Sequence, residues 1–404
     1  MTIGRTDRAV LAYSGGLDTS VTIRWLAEQG YEVHAVVVDV GQQEDFAQIL
    51  DRGRLAGAAS VRTIDAVDRY ARDYLTKAIA ANGLYEGTYP MVSALARPCI
   101  AEEVVAVARE VGARTVAHGC TGKGNDQVRF EISFSVLAPD LQILAPIRDA
   151  AIAREKALAL AEEWGIAIPS VAGTYSVDQN LWGRTVECGP LEDPWVAPPE
   201  DAFERTASAA DRPSEPAETV VGFERGVPMS LDGDPADLPA IVRSLDALAG
   251  AYGFGRVDMI ENRRVGIKSR ELYEVPGALA IIRAHQALED LTLERDVAHH
   301  KPAMEARWAE LVYDGRWFAP LRQAIDAYVA STQTFVTGEV RLRFEAGGCV
   351  VAGRRSEHSL YDLSLATYGA HDAFDQADAR GYLRLSGLPL AVWASAQATR
   401  GSGS

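Results

Sequence analysis

Val10-Leu11-Ala12-Tyr13-Ser14-Gly15-Gly16-Leu17-Asp18-Thr19-Ser20 is the stretch that decides the fold. The apolar run from Ala9 to Tyr13 reads as a buried parallel strand, and it stops at Ser14-Gly15-Gly16. A helical pattern follows, with Val21, Trp25 and Leu26 on one face and Gly30 as its stop signal. Strand, glycine turn and helix N-terminus together make a phosphate site. The glycines let backbone approach an anion, and the free amides of the first helical turn point at it. Ser14, Thr19 and Ser20 add hydroxyl donors, and Asp18 adds a carboxylate suited to a magnesium ion shared with phosphates. The plainer alternative is a capped Gly-Gly turn with no ligand.

Working outward, Glu32 to Val40 reads as a second buried strand ending in Gly41-Gln42, and a polar helix over 44–57 leads to a third strand over 60–65. This rhythm predicts a doubly wound parallel sheet whose ligands lie at the carboxyl ends of its strands. His34 reads as an ordinary strand residue. The hydroxyl-rich segment from Tyr85 to Arg97 reads as a loop, and Pro98 as the opening of an amphipathic helix. A fourth strand, 115–118, runs into Gly119-Cys120-Thr121-Gly122-Lys123-Gly124-Asn125-Asp126-Gln127-Val128-Arg129-Phe130. Three glycines followed by charged and amide side chains place a second donor-rich loop on the same sheet edge. A fifth strand over 141–147 and a helix over 154–164 close a first domain near residue 170.

Beyond it the texture changes. The six prolines between Pro190 and Ala217 predict an extended excursion. A hairpin over 220–231 and a helix over 237–252 follow. Then comes a site-facing segment from Val257 to Gly277, with helices over 278–294, 304–311 and 317–331. Alternating strands over 335–344 and 350–354 suggest an antiparallel sheet. The tail turns apolar at Leu388, Leu390, Val392 and Trp393, which suits a subunit contact. Residues 401–404 read as disordered. His299-His300 reads as a solvated pair, since neighbouring helical residues face different ways.

At 404 residues, 48% hydrophobic and 24% charged, the composition is that of a soluble globular protein of two or three domains. No uncharged apolar run is long enough to span a membrane. Cys99, Cys120, Cys188 and Cys349 are scattered and suit a reducing, cytoplasmic setting. A net charge of −16 argues against a nucleic-acid surface. No Walker loop and no dinucleotide fingerprint is present.

The first loop resembles the Ser-Gly-Gly-x-Asp-Ser loop of the N-type ATP pyrophosphatases, with Thr19 at the usual Ser position. Taken with Leu95-Ala96-Arg97-Pro98, the loop from His118 to Phe130, Leu191-Glu192-Asp193-Pro194-Trp195 and the Glu261 to Arg270 segment, the chain resembles the argininosuccinate synthase family from about residue 8 to about residue 385. The resemblance implies an α/β fold. A doubly wound, N-type ATP pyrophosphatase domain (1–170) would be followed by an α+β synthetase and multimerisation domain (171–371) and an oligomerisation tail (372–404). It implies ATP-dependent ligation of citrulline and aspartate through an adenylate, releasing AMP and pyrophosphate, with magnesium, in a cytoplasmic homotetramer with neither nucleic acid nor membrane as partner.

Carried over residue by residue, Ala12, Tyr13, Ser14, Gly15, Gly16, Leu17, Asp18, Thr19 and Ser20 would cradle ATP, with Val38 against the adenine and Gly119 on the nucleotide. Thr121, Asn125 and Asp126 would hold aspartate. Tyr89, Ser93, Asn125, Arg129, Ser176, Thr185, Glu261 and Tyr273 would meet citrulline, with Arg129 and Glu261 clamping its zwitterion. Asp18 would be both metal ligand and catalytic, and Lys123 would bring charge to the transferring phosphate. Three positions depart from the family pattern: Val38 replaces a frequent Ala, Thr185 replaces a Ser, and Ala94 stands where a citrulline-contacting Ser can occur, with Ser93 adjacent. Two rival readings remain at this point. One is a tRNA-thiolating pyrophosphatase, which needs reactive cysteines; the other is a nucleotide-binding regulator without turnover.

Overall fold

The computed structural model describes residues 7–166, 174–369 and 372–401. The two central elements form as their sequence dictates. Arg8–Ala12 is strand β1, and the helix Leu17–Glu28 starts at Gly16, with no side chain capping its first amides. Strands β2 (Glu32–Asp39), β3 (Ser60–Asp65), β4 (Thr115–His118) and β5 (Gln142–Leu144) join β1 in a parallel sheet of order β3-β2-β1-β4-β5. The strand order reverses between β1 and β4, which run parallel, so the crevice for a ligand opens at their carboxyl ends.

Both faces of this sheet are buried, which explains the near-continuous apolar reading of its strands. Ala9, Leu11, Val33, Ala35 and Val37 pack on one face against Leu17, Val21 and Leu26. Val10, Ala12, Val36 and Val38 pack on the other with Leu95, Cys99 and Val104 of the long helix Val92–Val111. That second core continues without interruption into Ala278, Ile281 and Leu288 of the helix Pro276–Thr292.

Two antiparallel sheets follow. One has the order β11-β12-β7-β6, from β6 (Ser176–Asn180), β7 (Gly183–Glu187), β11 (Arg256–Asn262) and β12 (Lys268–Glu274). The other has the order β10-β9-β8-β13-β14, from β8 (Ala217–Glu224), β9 (Val227–Leu231), β10 (Asp234–Pro235), β13 (Gly338–Glu345) and β14 (Gly348–Arg355). The turn between β6 and β7 reaches the parallel sheet: Leu181 N–H donates to Val40 O (2.9 Å), and Trp182 Nε1 donates to Pro90 O (2.9 Å). Gly41 permits this approach. It has φ +92°, and a Cβ there would stand 2.8 Å from Leu181 Cβ.

Several local expectations need correction. The helix expected to open at Pro98 begins at Val92, so Pro98 lies inside it and Ser93 and Arg97 share its first turns. Burial of Val92, Leu95, Ala96 and Cys99 holds the helix together across the missing amide. Helical turns from Val67 to Ala80, with a π turn at Ala71–Leu75, were not anticipated, nor was the β6–β7 hairpin. One antiparallel sheet was anticipated and two are present. The fifth strand is shorter than expected because Pro146 opens a helical turn. The helix expected over 304–311 runs Arg295–Tyr313 and carries both exposed histidines, His299 and His300. By its contacts the chain divides into two compact units, up to His358 and from Ser359. The boundary expected near residue 170 lies outside the described residues. The second unit holds the helix Asp378–Gly401, so Gly401 is helical, and 402–404 lie outside the described residues. No helix among the described residues is long and apolar enough to cross a membrane.

Candidate active site

The glycine turn after β1 is shaped by close packing. Gly15 has φ +76°, where a Cβ would stand 2.8 Å from Ile49, and Arg52 Nη1 donates to its carbonyl. Ser14 is exposed, and its Oγ lies 3.2 Å from Thr19 Oγ1. Gly16 N–H donates to Ser14 Oγ (3.4 Å). With no side-chain cap on the helix, the amides of its first turn remain available to an anion. Tyr13, Leu17 and Ser20 face inward, and Tyr13 Oη and Ser20 Oγ bond to each other (3.1 Å). Only Ser14 and Thr19 therefore offer hydroxyls outward. Asp18 is half-buried; burial pushes its pKa up and Arg154 opposes this only in part. Its carboxylate accepts no hydrogen bond among the described residues, so it is the group in this loop best placed for a cation. Val38 is buried at the end of β2.

The second turn lies against the first. A Cβ on Gly119 would stand 2.8 Å from Thr19 Cγ2 and 3.1 Å from its Cα and amide nitrogen. Buried His118 orients this turn. Cys120 N–H donates to its Nδ1 (3.2 Å), so the ring carries its proton on Nε2, which donates to Glu131 (3.2 Å). Thr121 and Lys123 are exposed at the tip of the loop. Asn125 is buried beneath it, donating to Tyr313 Oη (2.7 Å) and accepting from Arg264 N–H (2.8 Å).

An array of charge stands behind Asn125. Asp126 Oδ2 accepts from Arg97 Nε (2.9 Å), with Arg97 Nη2 2.8 Å away as an ion pair, and Oδ1 accepts from Arg129 Nη1 (2.8 Å). Burial alone would raise the pKa of Asp126, but Arg97 and Arg129 outweigh it and hold the carboxyl well below the usual range. Arg129 also donates to Tyr313 O (3.1 Å) and lies 5.0 Å from the centre of its ring.

The β6–β7–β12 sheet supplies the opposite wall. Asp178 of β6 pairs with Thr185 of β7, and Thr185 pairs with Tyr273 of β12, so the three share one face. Tyr273 stacks on Tyr89 with centroids 3.8 Å apart, and its hydroxyl donates to Glu261 (2.7 Å). Burial pushes the pKa of Glu261 up, against the hydroxyls of Tyr273 and Tyr313 and the charge of Arg129. Ser93 Oγ donates to Asp178 (2.6 Å), and Ser176 is exposed further along β6. The structure thus brings Tyr89, Ser93, Asn125, Asp126, Arg129, Thr185, Glu261 and Tyr273 to one region, with the two turns at its edge.

Four residues of this region received no site role from the sequence: Arg97, Asp178, Tyr313 and Arg263. Arg97 was visible in its Ala-Arg-Pro setting. The others join the site only through contacts across long stretches of chain. Arg263 is ringed by Glu187, Glu261 and Glu271.

Family profiles match in two segments, the arginosuccinate synthase N-terminal HUP domain over residues 8–167 and the arginosuccinate synthase C-terminal domain over residues 175–393. This chain belongs to the argininosuccinate synthase family. It is 52% identical over 386 residues to a Bacillus licheniformis protein named argininosuccinate synthase, covering 95% of this chain and 96% of that one. A Bacillus thuringiensis protein of the same name is 50% identical over 387 residues, with 96% of each chain covered. Among solved structures, a 4-thiouridine synthetase–RNA complex with bound ATP is 15% identical, with a TM-score of 0.31 over 40% of this chain and 41% of that one, a likeness too slight to bear on function.

Family membership does not favour the tRNA-thiolating alternative, and neither do the cysteines. Burial pushes the thiols of Cys99 up to about 12 and of Cys188 and Cys349 up to about 11, and it raises Cys120 further. None is poised as a thiolate. Among the described residues no group of three or more His, Cys, Asp or Glu side chains could hold a metal by itself.

Proposed function

We propose that this chain joins citrulline to aspartate at the expense of ATP, through a citrullyl-adenylate, with release of AMP and pyrophosphate. The observation that carries the reading is the contact of Gly119 with Thr19, which unites two anion-directed turns at the carboxyl edge of the parallel sheet. Beside them lies a buried array of arginines and carboxylates suited to two amino acids.

The ureido oxygen of citrulline is a poor leaving group, so it is first bonded to the α-phosphorus of ATP. The aspartate amine then attacks the activated carbon and AMP departs. Little covalent help is needed from side chains, and positioning and charge neutralisation carry the rate. In this reading the residues from Ala12 to Ser20, chiefly through backbone amides and the Ser14 and Thr19 hydroxyls, take the phosphates. Val38 and Gly119 line the nucleoside side. Magnesium suits Asp18, whose half-buried carboxylate accepts no hydrogen bond among the described residues, and when bound it would neutralise phosphate charge. Thr121, Asn125 and Asp126 hold aspartate. Arg129 and Glu261 take the citrulline carboxylate and ammonium, flanked by Tyr89, Ser93, Ser176, Thr185 and Tyr273. Lys123, exposed and without an ion pair among the described residues, reaches the transferring phosphate.

We extend the reading to a cytoplasmic homotetramer. Exposed Tyr382, Leu383, Leu388, Leu390 and Trp393 on the helix Asp378–Gly401 support it, and light scattering of the full chain tests it. The activity is tested by measuring AMP and pyrophosphate from Mg-ATP with citrulline and aspartate supplied singly and together. Sustained release only with both supports the proposal. Release that requires tRNA, or none at all, refutes it.

A further inference from the structure

Asp178 stands where the two amino-acid clusters meet. Its Oδ2 accepts two strong bonds, from Ser93 Oγ (2.6 Å) and Arg97 Nη2 (2.6 Å). Arg97 is itself anchored on Asp126, and Ser93 and Arg97 lie one turn apart on the same helix. The carboxylate is therefore fixed in orientation by its Oδ2. Its Oδ1 accepts no hydrogen bond among the described residues, and the side chain is 33% exposed.

The neighbouring carboxylates are already engaged. Both oxygens of Asp126 are held by arginines, Glu261 accepts from Tyr273, and Glu271 accepts from Arg263 and Ser269. Asp178 also differs from Glu261 in what surrounds it. Asp178 shares a sheet face with Thr185 and Tyr273, and Arg97 ties it to Asp126, the first residue of the helix after the second turn. Glu261 is instead bonded by Tyr273 Oη (2.7 Å) and stands 3.8 Å from Arg263 Nε. In the ligase reading, a citrulline whose zwitterion sits on Arg129 and Glu261 extends its ureido end along this shared face, on which Asp178 offers its unbonded Oδ1.

We propose that Asp178 Oδ1 accepts an N–H of the terminal ureido nitrogen of citrulline and stabilises the positive charge that develops on the ureido group during adenylation. The inference rests on the ligase reading above. As the ureido oxygen attacks, its bond to the α-phosphorus forms and the bond from that phosphorus to pyrophosphate breaks, the electron pair leaving with pyrophosphate. Nitrogen lone pairs delocalise toward the ureido carbon, so the group becomes a uronium cation. A carboxylate already aimed at its N–H stabilises that cation without reorganising, and the proton stays on nitrogen. Citrulline in its ground state is neutral there and gains far less from the same contact.

The test is single-turnover pyrophosphate formation from Mg-ATP and citrulline without aspartate, alongside equilibrium citrulline binding. Asp178→Asn should slow pyrophosphate formation by about a hundredfold, the scale of losing one preorganised electrostatic partner. Its citrulline affinity should change less than about tenfold, since the amide oxygen still accepts a hydrogen bond. Asp178→Glu, which keeps the charge, should retain more activity than Asp178→Asn. A rate within threefold of wild type would overturn the assignment, and so would an affinity loss as large as the rate loss, the mark of a mere counter-charge for Arg97 (both thresholds are on the order of one hydrogen bond's effect). Should Asp178→Asn fail to fold, citrulline dimethylated on its terminal ureido nitrogen asks the same question of the wild-type enzyme. It should bind yet react about a hundredfold more slowly, and an unchanged rate overturns the proposal. A wild-type enzyme that forms no pyrophosphate with citrulline would instead refute the ligase reading itself.

Discussion

Gly119 touches Thr19 so closely that any side chain at position 119 would meet Thr19's backbone as well as its methyl group. The turns after β1 and β4 are separated by about a hundred residues of chain, and this contact makes them two walls of one crevice (their separation in space follows the strand order of the sheet).

Gly119→Ala should therefore open the crevice. Overpacking of this kind costs about 1–3 kcal/mol. Part of that will appear as a rise in the KM for ATP of about tenfold, with a smaller change for citrulline. Steady-state kinetics on the three substrates check this; an unchanged KM for ATP would detach the second turn from nucleotide binding.

Asp18→Asn should suppress adenylation by about 10²–10³-fold while leaving the fold intact. The Asp18 carboxylate makes no hydrogen bond among the described residues, and burial already disfavours its charge. The variant's melting temperature should equal or slightly exceed that of the wild type. Wild-type turnover would remove Asp18 from the mechanism.

Arg129→Leu should raise the KM for citrulline more than that for ATP. It removes the bonds to Asp126 and to the Tyr313 carbonyl. Breaking a buried pair costs about 3–5 kcal/mol when the remaining charge is stranded. Here Arg97 still holds Asp126, so denaturant unfolding should show a loss at or below the lower end of that range. Equal effects on both Michaelis constants would count against a carboxylate clamp.

The cluster around Arg263 should make stability fall with rising pH. Burial, with repulsion from Glu187 and Glu261, pushes Glu271 up to about 8 from 4.5. Between those values the folded state binds more protons than the unfolded chain. Its contribution is thus fully present below about pH 4.5 and is lost as pH rises through 8. Glu271→Gln should flatten this decline, so that urea midpoints of variant and wild type converge at pH 5 and separate in the variant's favour at pH 9. Parallel pH profiles would show that Glu271 does not carry the effect.

The amino-acid sequence determined the parallel sheet, the glycine turn and the donor-rich turn after β4, because each depends on neighbours a few residues apart. Apolar runs bury strands on both faces, paired glycines end them, and a helix beginning there leaves its amides free. The helical turns from Val67 to Ala80 carried the same kind of signal in Val67, Tyr70, Ala71, Tyr74 and Leu75, all buried, but charged residues interleave with them and obscured it. Pro98 misled in the other direction, since a proline inside a helix reads locally as its beginning.

Only the tertiary structure decided how the candidate site is assembled. Tyr313 reaches Asn125 across 188 residues, and Arg97 reaches Asp178 across 81. Such pairings leave no periodicity in the chain. They exist because the β6–β7 turn docks at Gly41 and one continuous core includes both a face of the parallel sheet and the helix Pro276–Thr292. Hydrogen-bonded ladders and helical turns are written in local order, whereas the partners of a buried charge are chosen by how separate layers pack.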